Sequence, residues 1–165
     1  MPGAISELNL GPGFLRGLSG AEIHKYVGDE AILLWSTQQG RKTLNCIRFF
    51  GLFKLARQRA SAKYARRYGL QPEFRAGLHF GKVVAGEMGN LRKEVAYLGD
   101  AMNTGARMLD AAKRMNRQIV ISESAREALD PHLEAEDLGA HPIRGKQNEM
   151  RLYSVDYRTL KAGFE

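Results

Sequence analysis

A single long amphipathic pattern, residues 43–68, limits the folds open to this chain more than any other feature. Apolar residues recur there at spacings of three and four, which places them on one face of a helix: Cys46, Phe49, Phe50, Phe53, Ala56, Ala60 and Tyr64. Gly69 follows and is expected to end the helix. Elsewhere the apolar runs are short and bounded by glycine or aspartate, as strands are. One long helix among short strands predicts a single α+β domain with an antiparallel sheet.

The short runs predict the order of the other elements. A hairpin is expected over residues 22–36, with Gly28-Asp29 at its turn. A helix is expected after Gly99 with Asp100 as its N-cap, and a shorter one over 122–129 capped by Ser122. The remaining strands are predicted at 74–78, 82–88, 95–98, 118–121, 133–137 and 149–155. The chain is therefore divided into an irregular segment 1–20, a domain 21–157 and a tail 158–165.

Composition excludes several classes of protein. With 165 residues, 44% of them hydrophobic, the chain can bury a core without disulfides or a structural metal. No apolar run is long enough to span a membrane, and the N-terminus lacks the basic start and apolar block of a secretory signal. The single cysteine, Cys46, excludes an internal disulfide and a cysteine-rich zinc site. We expect a cytoplasmic protein with no membrane span.

The net charge of +7 is concentrated in one stretch. Nine lysines and arginines and no acidic residue lie between Arg41 and Pro72. Such a stretch can attract nucleic acid, an anionic membrane surface or an acidic partner, and it is also typical of the solvated face of a helix. Nucleic-acid binding usually adds aromatic side chains for stacking, whereas Phe49, Phe50 and Phe53 belong to the apolar face. We expect no nucleic-acid partner.

Three short segments carry residues suited to phosphate or metal chemistry. Asp29, in the hairpin turn, is a carboxylate of the kind that binds Mg²⁺, although Gly-Asp is also an ordinary hairpin turn. Asn103 and Arg107 are four residues apart and share a helix face near an N-terminus, an arrangement that favours phosphate and equally fits surface polar residues. Lys146 lies in a basic loop. His79 is interpreted as a packed strand histidine.

Taken in order, these segments resemble a known family. HKYVGDEAILLW resembles the metal-binding hairpin of class III nucleotidyl cyclases, and FRAGLHFGKVVAGEMG is similar to their paired strands. YLGDAMNTGARM resembles the family's G-[DN]-x-V-N-x-A-x-R segment. QIVIS and IRGKQNEMRLYSV resemble the strand, the K-G-K loop and the last strand that close the domain. The resemblance spans about residues 21–156 and points to a ferredoxin-like adenylate cyclase domain of the bacterial type.

The resemblance implies an activity and a role for each matching residue. The family converts a nucleoside triphosphate to a cyclic monophosphate and pyrophosphate, using two metal ions, Mg²⁺ or Mn²⁺, at the interface of two domains, here a homodimer or a pair with another cyclase domain. Asp29 matches the second metal aspartate, and Lys25 matches the lysine that reads the purine and indicates ATP. Asn103 matches the ribose asparagine, Arg107 the transition-state arginine and Lys146 the triphosphate lysine.

The sequence also departs from the family pattern. No aspartate precedes Asp29, so the family's first metal aspartate and the strand that carries it are expected to be absent, as in an N-terminally truncated domain. Ala96 stands where the family usually places a side chain that accepts a hydrogen bond from adenine. We therefore expect a weak or inactive adenylate cyclase. The alternative is a catalytically dead, cyclase-like domain that binds nucleotide or regulates a partner.

The expected loss of the first strand has a physical consequence. That strand is central in the family's sheet, so its absence would leave backbone donors and acceptors of its neighbours without strand partners. An open apolar edge invites pairing with another chain. We expect a chain that is marginally stable alone or stabilised by association.

Overall fold

A computed structural model of the chain describes residues 20–28, 30–41, 44–69, 73–88, 94–130 and 132–160. The predictions for residues 1–19 and for Asp29 lie outside these ranges. The chain divides into two compact units. One contains the residues up to Phe74 together with those from Tyr157 onward, and the other is Arg75–Asp156.

The first unit begins with the predicted hairpin. Strands β1 (Glu22–Val27) and β2 (Glu30–Leu34) pair antiparallel, with Val27 opposite Glu30 next to the turn. A β-bulge lies between Ile23 and Lys25. A short helix that the sequence did not predict, α1 (Thr37–Arg41), follows. The hairpin prediction is confirmed.

The long helix of the first unit is α2 (Asn45–Tyr68), close to its predicted bounds. Its apolar face is buried, and Cys46, Phe49, Phe50 and Phe53 are each less than 10% exposed. The phenylalanine rings contact other aromatic rings of the same unit. For example, the ring centroids of Phe53 and Phe74 are 4.6 Å apart. Gly69 ends the helix in a left-handed conformation, and its N–H donates to Ala65 O at 3.0 Å. A 3₁₀ turn, Tyr157–Thr159, completes the described part of this unit.

The second unit is built on a four-stranded sheet. Its strands, in spatial order, are β3 (Ala76–Leu78), β6 (Ile119–Ser122), β8 (Met150–Ser154) and β7 (Glu136–His141). The pairs β6–β8 and β7–β8 are antiparallel as predicted, whereas β3 pairs with β6 in parallel. Strands β4 (Val84–Met88) and β5 (Glu94–Leu98) form a separate antiparallel hairpin.

The pairing of β3 corrects one prediction. The sequence predicted that β3 and β4 pair with each other. Instead, β3 pairs with β6, and β4 pairs with β5. Strand β7 also begins three residues after the predicted strand at 133–137. Periodicity identifies a strand, but it carries little information about a partner more than 40 residues away.

Two helices pack on this sheet. They are α3 (Asp100–Arg114) and α4 (Glu123–Leu129). A core cluster joins α3 to the sheet and to the loop before β8; its buried members are Met108, Ala111, Ala112, Val120, Ile143 and Leu152. Ser122 caps α4 as predicted, because its hydroxyl accepts from Ala125 N–H at 3.2 Å. The N-cap of α3 is Gly99, so the prediction that Asp100 caps this helix is wrong.

Strand β3 and helix α3 approach each other closely. A Cβ built on Gly77 would lie 2.2 Å from Leu109 N and 2.5 Å from Met108 C. Only glycine fits at this crossing without moving backbone, and the contact fixes α3 against the sheet. In the part of the chain described here, no helix is long and apolar enough to cross a membrane.

Candidate active site

The candidate site of the second unit lies at the start of α3 and the loop that precedes β8. Asn103 is exposed in the first turns of α3, and Arg107 is half-buried one turn further along. The loop closes through a hydrogen bond from Lys146 N to Ile143 O at 2.9 Å. An open cleft of about 500 Å³ lies here, lined by Asp100, by the loop residues 145–149 and by Met150 at the start of β8.

Arg107 joins the helix to this loop. Gly145 has a φ of +73°, and a Cβ built on it would lie 2.9 Å from Arg107 Nη2 and 3.4 Å from Cζ. A side chain at position 145 would therefore be strained and would displace the guanidinium. Arg107 Nη1 is buried and has no hydrogen-bond partner among the described residues. A buried donor without a partner is costly, so this nitrogen favours a ligand with acceptor oxygens.

Lys146 lies beside Asp100. Its Nζ forms an ion pair with Asp100 Oδ2, and the lysine side chain is 26% exposed against 64% for the aspartate. The hydrogen bond from Lys146 lowers the pKa of the Asp100 carboxyl, and the nearby charges of Lys146, Arg107 and His79 lower it further. The Asp100 carboxylate thus lies close to three basic side chains, Lys146, Arg107 and His79.

His79 lies at the end of β3, half-buried as its interpretation as a packed histidine requires. Its Nδ1 is 2.8 Å from Ser122 Oγ and 3.4 Å from Ser124 Oγ, and the Ser124 hydroxyl donates to Phe80 O at 3.0 Å. Burial lowers the pKa of the imidazole, and the charge of Lys146 lowers it further. The ring is held in a fixed hydrogen-bonded position close to the site.

The sequence-predicted site residues fall into three groups. Arg107 and Lys146 are brought together at Gly145, with Asn103 on the same helix. Lys25 is exposed on β1, in the first unit, opposite Ile32. Asp29 lies outside the described residues, and of Ala96 only the backbone pairing with Gly86 is described. The roles of all five predicted residues remain predictions.

Sequence reasoning missed the contact of Asp100 with Lys146. The spacing of 46 residues carries no periodic pattern, and an aspartate at a helix start is usually interpreted as a cap. Within the ranges described above, no three or more histidine, cysteine, aspartate or glutamate side chains are placed to hold a metal ion.

Comparisons with known proteins indicate the family to which this chain belongs. The family model described as "Adenylate and Guanylate cyclase catalytic domain" matches residues 22–156. Adenylate cyclase 2 of Rhizobium meliloti (strain 1021) is 35% identical over 145 residues, which cover 86% of this chain. The match covers 39% of that protein's length, so the chain spans well under half of this curated relative.

Solved structures show the same fold. The guanylyl cyclase Cya2 superposes with a TM-score of 0.73 at 19% identity, over 92% of this chain and 75% of that one. The adenylyl cyclase CyaB from P. aeruginosa gives a TM-score of 0.68 at 18% identity, over 92% and 78% of the two chains. The expected α+β cyclase fold is confirmed by these likenesses. With the family match over residues 22–156, they show that the chain belongs to the adenylate and guanylate cyclase catalytic domain family.

Proposed function

We propose that the chain is an adenylate cyclase domain that converts ATP to cyclic AMP and pyrophosphate. The observation that carries the proposal is the meeting of Arg107 and Lys146 at Gly145, next to an open cleft. Two cationic side chains, one on the second turn of α3 and one in the loop that packs against it, attract the phosphates of a nucleotide. The 35% identity to a protein named an adenylate cyclase supports ATP over GTP.

The reaction joins the ribose 3′-oxygen to the α-phosphorus and breaks the bond from that phosphorus to the leaving pyrophosphate. The 3′-hydroxyl loses its proton to the surrounding water in the same change, and pyrophosphate leaves with the electron pair of the broken bond. Negative charge grows on the phosphate oxygens, so a fixed guanidinium there lowers the barrier. We assign this role to Arg107. We also propose that Lys146 binds the leaving phosphates and that Asn103 orients the ribose.

Two further roles belong to the proposal. Lys25, exposed on β1, is assigned to the purine base, and Asp29 to a divalent ion, Mg²⁺ or Mn²⁺. A bound divalent ion would neutralise phosphate charge. Because no aspartate precedes Asp29, we propose weak activity in this chain alone.

We propose that two chains associate, as a homodimer or with another cyclase domain. The β4–β5 hairpin supports this, since Val84 and Leu98 face each other on it and are 69% and 61% exposed. Large apolar side chains exposed as neighbours are typical of an interaction surface.

A second candidate is a cyclase-like domain that binds nucleotide without turnover. It is favoured by the sequence, in which no aspartate precedes Asp29. ATP that binds but is not converted, with either Mg²⁺ or Mn²⁺ present, would support this candidate over the first.

The test is cyclic AMP formation from ATP with Mn²⁺ or Mg²⁺, with GTP in parallel. Arg107→Gln should lower kcat by about 10²-fold, because a fixed transition-state donor is lost. The matched control is Arg114→Gln, in the last turn of the same helix, which should retain activity. Asp29→Ala should abolish the metal-dependent rate. Equal rates for Arg107→Gln and the parent chain would contradict the assignment.

A further inference from the structure

The Asp100 carboxylate is paired with Lys146, the residue to which the proposed function assigns the leaving phosphates. The carboxylate lies close enough to Arg107 for that charge to act on it. It also lines the open cleft together with residues 145–150. A carboxylate and a phosphate offer a lysine the same kind of acceptor oxygen.

The two partners of this ion pair differ in how firmly they are held. Lys146 is only 26% exposed and belongs to a loop that packs through Gly145 on Arg107. Asp100 is the first residue of α3, and its side chain is 64% exposed. Its carboxylate can therefore rotate toward the solvent at little cost in free energy. A solvent-exposed ion pair contributes little free energy, and it can therefore be exchanged.

We propose that Asp100 is a specificity-determining residue that acts as an internal competitor for Lys146, which the phosphates of the nucleotide must displace. The proposal rests on the proposed function, because it concerns the same phosphate-binding cluster. A tri- or diphosphate chain carries several negative charges and exchanges with the single carboxylate. A singly charged anion gains nothing from the exchange.

The competing interpretation makes Asp100 a support that holds Lys146 in a productive position. The two interpretations predict opposite signs for the same substitution. If Asp100 competes, its neutralisation tightens anion binding; if it supports, the same change weakens binding. Asp100→Asn keeps the size and removes the charge, so it separates them.

The experiment measures binding of inorganic pyrophosphate by titration calorimetry at low ionic strength, without any turnover. We expect Asp100→Asn to bind pyrophosphate about 3- to 10-fold more tightly than the parent chain, as removal of one nearby like charge requires. Lys146→Met should weaken binding. In the Lys146→Met background, Asp100→Asn should have a clearly smaller effect on affinity, because the lysine for which the carboxylate and the pyrophosphate compete has been removed.

Asp110→Asn is the matched control, since Asp110 is exposed on the same helix and does not line the cleft. It should change pyrophosphate affinity by less than twofold. If Asp100→Asn does not fold, Asp100→Ser, which also removes the charge and keeps a small polar side chain, replaces it. Unchanged or weaker binding by the neutral variant, including undetectable binding by both chains, overturns the proposal. Failure of ATP turnover with tighter pyrophosphate binding by Asp100→Asn would instead count only against the proposed activity.

Discussion

The His79 imidazole shows how burial and a neighbouring charge act on one residue. Burial and the charge of Lys146 lower the pKa of the folded-state imidazole below its ordinary value of 6.5. The unfolded chain therefore binds a proton at this residue more readily than the folded chain does. As the pH falls through 6.5, the unfolded state is protonated first, and stability decreases until the folded-state pKa is reached.

This effect predicts a difference between the parent chain and His79→Asn. Asparagine can place an amide nitrogen near the position of Nδ1 and keep a hydrogen bond to Ser122, but it does not titrate. Urea unfolding at pH 8, 7, 6 and 5.5 should show a steeper loss of stability for the parent chain below pH 7. Both chains contain the other three histidines, so identical pH dependence would contradict the prediction.

Asp100 shows where reasoning from single residues is limited. Its place before an apolar-periodic segment indicated an N-cap, and the helix does begin there. The side chain instead contacts Lys146, because a cation 46 residues away is brought beside it by the fold. A local pattern predicted the helix boundary but carried no information on that partner.

At the scale of elements, the crossing of β3 and α3 depends on Gly77. Any side chain there would meet the backbone of Leu109 and Met108, which cannot give way as a flexible side chain can. Gly77→Ala should lower the free energy of unfolding by about 1–3 kcal/mol or more, through overpacking. Urea denaturation of the purified variant measures this change.

The matched control for Gly77→Ala is Gly105→Ala, within α3 itself. A Cβ at Gly105 meets nothing within 4 Å, so alanine should raise stability by about 0.5–1 kcal/mol through its higher helix propensity. Equal effects of the two alanines would show that the close approach does not matter.

The elements that local patterns determine were predicted well. The β1–β2 hairpin, α2 with its end at Gly69, and the Ser122 cap of α4 all follow from nearby residues. The parallel pairing of β3 with β6 was not predicted, because the two strands are more than 40 residues apart and periodicity carries little information on such a partner. Of the site, the meeting of Arg107 with Lys146 was expected only through the family resemblance, since spacing alone does not join residues 39 positions apart.

At the scale of the whole molecule, the strand pairing can be compared with the expectation that a sheet edge is left without a strand partner. Strand β3 lies at one edge of the four-stranded sheet, and the β1–β2 and β4–β5 pairs are separate two-stranded sheets in the part of the chain described. A two-stranded sheet alone is marginally stable in water. Edges of this kind favour association, as the sequence suggested, although the absence of a first strand remains a prediction.

The exposed surface of the β4–β5 hairpin provides a test of association. Val84 and Leu98 lie opposite each other and are 69% and 61% exposed, and nearby in sequence Phe80 and Val83 are 44% and 40% exposed. The double variant Val84→Thr/Leu98→Thr keeps residues compatible with a strand while removing apolar area. If this surface is buried between chains, its loss should weaken the dimer at least about tenfold, since each buried side chain contributes about 1.5–3 kcal/mol.

Sedimentation equilibrium over a range of protein concentrations measures this change directly. The control Ala140→Thr places the same new residue at an exposed position of β7, and it should leave the dimer unaffected. A parent chain that stays monomeric at every concentration would refute association. A double variant that dimerises as strongly as the parent would place the interface elsewhere, because the apolar area of the hairpin would then contribute nothing to it.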